Sequence, residues 1–224
     1  MYQNSIETIR QSIFPVLFEV RQGTQTRIGV SGSAFFISEN IFVTANHVIT
    51  DTPPGARILY AGNIPNNAIQ PVEFEEVLSD PVQDIYFGRV PEDIALNPLD
   101  LAEENPRPGK SVCLCGYPFA KLGQNQDGSI NVNNVRPYWQ PTFVVDSLTA
   151  NNVQGRTYQG FITQHTSLKG MSGGPVFDTD AIVHGIDVAT FTREIPEGDG
   201  QVTRVPNGVV VGIQTLHDLL EEID

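Results

Sequence analysis

The sequence predicts an all-β fold, two β-barrels in a single unit with short helices only at the ends. Three observations predict it. Short β-branched and aromatic runs recur along the 224 residues, separated by turn signals. Apolar residues take the spacing of an amphipathic helix only near the termini. Hydrophobic residues make up 40% and charged residues 17%, a globular composition at a length where all-β chains often form one unit.

The elements follow in order. Asn4 and Glu7 fit a capping box, and Ile6, Ile9 and Ile13 share one helical face. Pro15 is read as the stop, so a helix is expected over about 4–14. The first barrel is expected over about 15–104, with strands near 16–20, 34–37 and 41–44. Its turns fall at Pro53-Pro54-Gly55, Asn66-Asn67 and Asp80-Pro81. The second is expected over about 108–214, with strands near 112–115, 143–145 and 209–211. Asn151-Asn152 and Pro196-Glu197-Gly198 mark its turns. Thr215 can cap a last helix over about 215–223, with Leu216, Leu219, Leu220 and Ile223 as its stripe. Glu221, Glu222 and Asp224 crowd its final turn, where the helix dipole disfavours negative charge, so the end frays or the chain continues. There is no internal repeat or low-complexity tract.

A formal net charge of −13 argues against nucleic-acid binding, which needs clustered Lys and Arg, and favours encounters with basic peptides. No run approaches the roughly 18 apolar residues of a spanning helix. The start lacks a signal-peptide pattern, so a cytoplasmic chain without membrane attachment is expected. Cys113 and Cys115 stand two apart on one strand face, where a disulfide would be strained. Buried reduced thiols are expected, with no metal and no cofactor.

Gly170-Met171-Ser172-Gly173-Gly174-Pro175 carries the chemistry. Glycines around a serine permit strained turns and let backbone N–H groups converge on a developing oxyanion. A serine nucleophile needs a base held by a third group. His47 and Asp84 upstream supply candidates, in the order His, Asp, Ser. Gly170-x-Ser172-x-Gly174 also fits the nucleophile elbow of α/β-hydrolases, which demands a helix directly after the serine and a histidine after it. Here Pro175-Val176-Phe177 runs into the turn cluster Asp178-Thr179-Asp180, leaving no room for that helix.

Taken in order, these blocks resemble the trypsin-like, chymotrypsin-fold serine peptidases, in the style of the bacterial HtrA-like branch without a PDZ domain. Gly32-Ser33-Ala34-Phe35-Phe36-Ile37 and Ile41-Phe42-Val43-Thr44-Ala45-Asn46-His47-Val48 are similar to the histidine block. Residues 84–90 are similar to the aspartate block, and residues 170–175 to the serine block. Pro108-Gly109-Lys110-Ser111-Val112 leading to Gly116-Tyr117-Pro118 is a weaker fourth match. The resemblance implies two six-stranded antiparallel barrels and a serine endopeptidase acting on protein or peptide substrates. His47 would be general base, Asp84 its orienting acid and Ser172 the nucleophile, with the N–H groups of Gly170 and Ser172 as oxyanion donors.

Three aspartates compete for the acid. Asp93-Ile94-Ala95-Leu96 is closer to the family's wording, but it follows Pro91-Glu92 and is cut off by Asn97-Pro98. Asp80 precedes proline and reads as a turn. Asp84 opens an apolar run at the better spacing and is favoured. Met171 stands where digestive-type members carry an aspartate that pairs with a newly cut N-terminus. Such activation is therefore not expected, nor does the start carry Ile-Val-Gly-Gly. Regulation would fall to loops, oligomerisation or a regulatory protein partner. The resemblance places Thr166, Asp187, Val188 and Ala189 in the substrate pocket. Asp187 replaces the histidine of glutamyl endopeptidases and so suggests preference for Arg or Lys before the scissile bond, unless it hydrogen-bonds a neighbouring loop. His165 and His184 read as satisfied structural groups and His217 as a helix-surface residue. A catalytically silent peptidase-fold binding module is the alternative function, with an esterase behind it.

Overall fold

Helix α1 (Gln3–Arg10) leads into β1 (Ile13–Gln22), β2 (Gln25–Phe36) and β3 (Ile41–Ala45). Helix α2 (Asn46–Thr50), β4 (Arg57–Ala61), β5 (Pro71–Val72), β6 (Glu75–Asp80) and β7 (Ile85–Arg89) complete the first half. The computed structural model describes residues 1–23, 25–61, 71–91, 97–124, 130–133, 135–153, 156–198 and 200–223. Among these residues the first sheet runs β5-β4-β1-β2-β3-β7-β6, antiparallel throughout, with β5 a two-residue edge. The second half comprises β8 (Ser111–Gly116), β9 (Lys121–Gln124), β10 (Ile130–Asn133), β11 (Tyr138–Val153) and β12 (Arg156–Thr163). It continues through β13 (Pro175–Phe177), β14 (Val183–Pro196) and β15 (Val202–Gly212) to α3 (Ile213–Leu220). Six of its strands close a barrel in the order β11-β12-β15-β14-β13-β8, while β9 and β10 pair apart from it. Five of the six expected strand runs lie wholly in strands, and the sixth, 34–37, runs one residue past the end of β2. The Asn66-Asn67 turn lies outside the described residues.

Aromatic side chains fill the first half. Phe14, Phe36 and Phe42 meet at centroid distances of 5.2–6.3 Å, and Phe74 closes on Phe42 at 5.0 Å. Phe42 faces Gly88 across the β3–β7 pair and Phe18 faces Gly29 across β1–β2. A Cβ at either glycine would stand 2.3 Å from the ring, so the missing side chain is what lets the ring lie over the strand. Losing one such buried phenylalanine typically costs about 3–5 kcal/mol.

Five local expectations are corrected by packing. Helix α1 ends at Arg10 rather than near residue 14, because Ile13 pairs with Phe35 as strand. Pro15 sits inside β1, just before the β4 pairing starts at Val16, where a missing N–H leaves a ladder position empty on one side only. The capping box does not form. Tyr2 occupies the N-cap without a side-chain cap, its hydroxyl sharing a hydrogen bond with Ser111 Oγ (2.8 Å) and its ring edge-on to Phe177. At the other end α3 starts at Ile213, two residues early, and Asn105 Oδ1 accepts the Gln214 N–H (3.4 Å) in place of a Thr215 cap. Asn151 and Asn152 belong to the β11–β12 ladder instead of a turn.

Candidate active site

The chain leaves β3 at Ala45 and turns directly into α2, which presents His47 at the sheet end. Asp84 lies just before β7 with φ +60, a left-handed conformation that costs a non-glycine residue about 1–2 kcal/mol. Hydrogen bonds offset that strain. Asp84 is fully buried, and its Oδ1 accepts the His47 backbone N–H (2.9 Å). Its Oδ2 lies 2.8 Å from His47 Nδ1, and its carbonyl accepts the Asn46 N–H (3.0 Å). A carboxylate only accepts, so Nδ1 carries the proton and Nε2 is left as the basic nitrogen. Asn46 Oδ1 accepts the Ser79 hydroxyl (2.8 Å), bracing the turn. Asp80 instead takes the N–H groups of Val82 and Gln83, a turn role. Asp93 lies outside the described residues.

Ser172 comes from the second half, on two successive tight turns. Met171 N–H donates to Leu168 O and Gly174 N–H to Met171 O, both at 2.9 Å. Gly170 (φ +97) and Gly173 (φ +85) hold the third position of each, where a type II turn requires positive φ. A Cβ on Gly173 would stand 2.1 Å from Ser33 O and 3.0 Å from Ala45 N, so the serine turn is seated against the strand that delivers His47. Among the described residues the N–H groups of Gly170 and Ser172 have no acceptor, and Ser172 Oγ makes no hydrogen bond. The His47–Asp84 half of the array is thus closed, while the serine link is open.

Beneath the turn, Asp187 is bound to the serine loop through its backbone. Gly173 N–H donates to Asp187 O (2.7 Å) and Asp187 N–H to Gly174 O (3.0 Å). Its carboxylate is fully buried, with Oδ2 accepting the Ser167 hydroxyl (2.6 Å) and Oδ1 without a partner among the described residues. Burial pushes this carboxyl up to about 7, against the opposing pull of Ser167 and of His47. The β14–β15 pairing shifts register between Asp187 and Ala189, a bulge that leaves Val188 buried and Ala189 half-buried. Thr166 is half-buried and its carbonyl accepts from Gln140 Nε2 (3.2 Å). Ser167 was not singled out by the sequence. It is one residue from Thr166, and only the fold shows which of the two faces Asp187.

A profile of the trypsin-like peptidase domain matches residues 32–186, more than half of the chain. The chain belongs to the trypsin-like peptidase family. It is 28% identical over 164 residues to a "probable periplasmic serine endoprotease DegP-like" of Bartonella henselae, covering 72% of this chain. The chain spans only 28% of that relative's length. Its fold is shared with the Rv3671c protease of M. tuberculosis in its active form, at TM-score 0.64 and 20% identity, over 98% of this chain and 83% of that one. It is also shared with the HtrA-type protease AlgW bound to a decapeptide, at TM-score 0.70 and 16% identity, over 100% of this chain and 67% of that one. The DegP-like name places that relative in the periplasm, so it lends no support to the cytoplasmic expectation. Among the described residues no helix is long and apolar enough to cross a membrane.

In this trypsin-like peptidase Met171 is fully buried among Val112, Leu114, Val144, Phe161, Val176 and Val210. An apolar anchor thus holds the serine loop where an ion pair would serve in digestive-type members. Of the other histidines, His184 departs from the satisfied expectation at one atom, its buried Nδ1, which has no partner among the described residues. His184 Nε2 lies 3.0 Å from Asp178 Oδ2, which also pairs with Lys110 Nζ (2.9 Å). Burial pushes the Asp178 carboxyl up, but these two partners and two backbone N–H groups outweigh it and hold it at about 2. His165 is exposed and tied by its backbone to Thr142 and Thr163. His217 corrects the surface expectation: it is half-buried, and its Nε2 bonds Ala102 O (2.8 Å), tying α3 to the segment between the halves. Cys113 and Cys115 are free and buried, with burial pushing the first thiol up to about 12.

Proposed function

We propose that this chain is a serine endopeptidase in which Ser172 attacks the substrate carbonyl and His47 Nε2 takes the hydroxyl proton. Asp84 holds the imidazole and stabilises the imidazolium. The tetrahedral oxyanion forms beside the N–H groups of Gly170 and Ser172, each such donor contributing about 2.7–4 kcal/mol at the transition state. His47 then returns the proton to the leaving amine, and water releases the acyl group by the same steps. The observation that carries the reading is the two-point grip of Asp84 on His47. A buried aspartate in left-handed backbone, with each oxygen engaging the same histidine, supports Nε2 as the basic nitrogen.

The pocket beside Ser172 is formed by Thr166, Asp187, Val188 and Ala189 and takes Arg or Lys. The unpartnered Asp187 Oδ1 supports this, because a buried carboxylate is best neutralised by a cation. The role is regulatory or processing cleavage of protein substrates, under the control of a regulatory partner. The free buried thiols support a cytoplasmic site. Fluorogenic peptides varied before the scissile bond test the proposal, with products identified by mass. Cleavage after Arg or Lys that vanishes in Ser172→Ala and His47→Ala is expected; cleavage unchanged in either variant refutes it. The second reading is a catalytically silent binding module, favoured by the open Ser172–His47 link. Peptide binding with no cleavage would establish it.

A further inference from the structure

We propose that Ser33 is a positioning residue that sets the oxyanion-binding geometry of the serine loop from the opposite half of the molecule. This rests on the peptidase reading above. Ser33 lies in β2, is fully enclosed, and engages every polar group it has. Its N–H donates to Ser172 O (2.8 Å) and its hydroxyl donates to Gly170 O (2.7 Å). The hydroxyl oxygen also accepts the Tyr117 N–H (3.0 Å), and the Ser33 carbonyl accepts the Thr44 hydroxyl (2.7 Å).

One residue therefore grips the carbonyls of Gly170 and Ser172, the same two residues whose N–H groups lack an acceptor among the described residues. Gly170 is a glycine at positive φ, so its own torsions oppose a peptide rotation very little. These two carbonyls belong to the peptide units on either side of the one that carries the Ser172 N–H, so anchoring both limits rotation of that donor, and the Gly170 N–H adjoins the first of them. Preorganised donors are effective because they need no reorientation as charge develops.

Glycines make room for this grip. A Cβ on Gly116 would stand 2.7 Å from Ser33 Oγ, and one on Gly173 2.1 Å from Ser33 O. A Cβ on Gly32 would stand 2.7 Å from Ser172 O. The close approach of β2, β8 and the serine loop thus depends on the missing side chains of these three glycines. The Thr44 hydroxyl, which reaches Ser33 from β3, would also be met by a Cβ placed on Gly173, so a side chain there would collide with this bond as well.

The test compares wild type, Ser33→Ala and Ser33→Thr in peptide hydrolysis and in binding of a peptide boronic acid, which becomes a tetrahedral anion on Ser172. Ser33→Ala is expected to lose roughly 10–100-fold in kcat, with boronate affinity falling in parallel and KM within about twofold. Ser33→Thr keeps the hydroxyl and should recover most of both. A purely structural role would move KM and thermal stability without the matched loss of kcat and boronate affinity. Ser33→Ala matching wild type in kcat and boronate binding overturns the assignment. Should the alanine variant not fold, a folded Ser33→Thr that has lost boronate binding overturns it equally, and one that retains binding upholds it. A wild type that neither cleaves peptides nor binds boronate removes the peptidase reading itself, a result distinct from either.

Discussion

Replacing Asp187 by Asn tests the pocket with a number attached. The carboxyl is enclosed, half-satisfied by Ser167, and raised from its ordinary 3.8 to about 7. An acid whose folded pKa lies above its unfolded one keeps a proton that the unfolded chain releases. Folding stability therefore falls as pH rises from about 4 to about 7, then levels. At about 1.4 kcal/mol for each pH unit, the loss across that window is roughly 4 kcal/mol. The amide in Asp187→Asn has no proton to lose, so the variant should be spared that loss. Urea unfolding of wild type and Asp187→Asn at steps from about pH 4 to pH 8 reads the difference. The expected result is a gap between the two curves that changes by several kcal/mol and stops changing above about pH 7. Specificity should follow the same proton. The ratio of kcat/KM for Arg over Leu substrates should climb with pH in wild type and stay flat in Asp187→Asn. Stability curves that remain parallel, with an unchanged Arg preference, would refute both the buried acid and its role in the pocket.

Three further outcomes are expected. Asp84→Asn should lower kcat by about 10⁴-fold without unfolding the chain, because the amide favours the wrong histidine tautomer; steady-state kinetics with a thermal melt checks both. Met171→Ala empties a closed apolar site and should cost about 2–5 kcal/mol in denaturant unfolding while slowing active-site labelling, since the anchor of the serine loop is lost. Asp178 is held at about 2, so its stabilisation is present above pH 3.8 and is lost as pH falls toward 2. Asp178→Asn should therefore narrow its stability difference from wild type over that acid range, as read by unfolding curves.

Much of this architecture was legible in the sequence, and what escaped it has physical causes. Residues 41–47 read correctly as strand then histidine because an apolar run stops at Thr44-Ala45, and strand propensity is local. Asp84 was separable from Asp80 because proline after Asp80 forces a turn, which its side chain then caps. Pro15 misled because a proline stop and an edge-position strand proline look alike until the partner strand is known. The capping box at Asn4 lost to the burial of Tyr2 against Phe177, a long-range contact that no local pattern encodes. The long-range bonds of Ser33 and Ser167 were invisible for the same reason. Each is an unremarkable serine whose meaning depends on a partner well over a dozen residues away. The glycines carried a trace of that meaning, since Gly32 and Gly173 mark places where backbones must touch.

The most direct test of the central claim is intact-mass analysis of wild type and Ser172→Ala after reaction with a fluorophosphonate probe. A single covalent adduct on wild type, mapped to Ser172 and absent from Ser172→Ala, is the result this account predicts. A folded wild type that remains unlabelled, or an adduct that persists in Ser172→Ala, would contradict it.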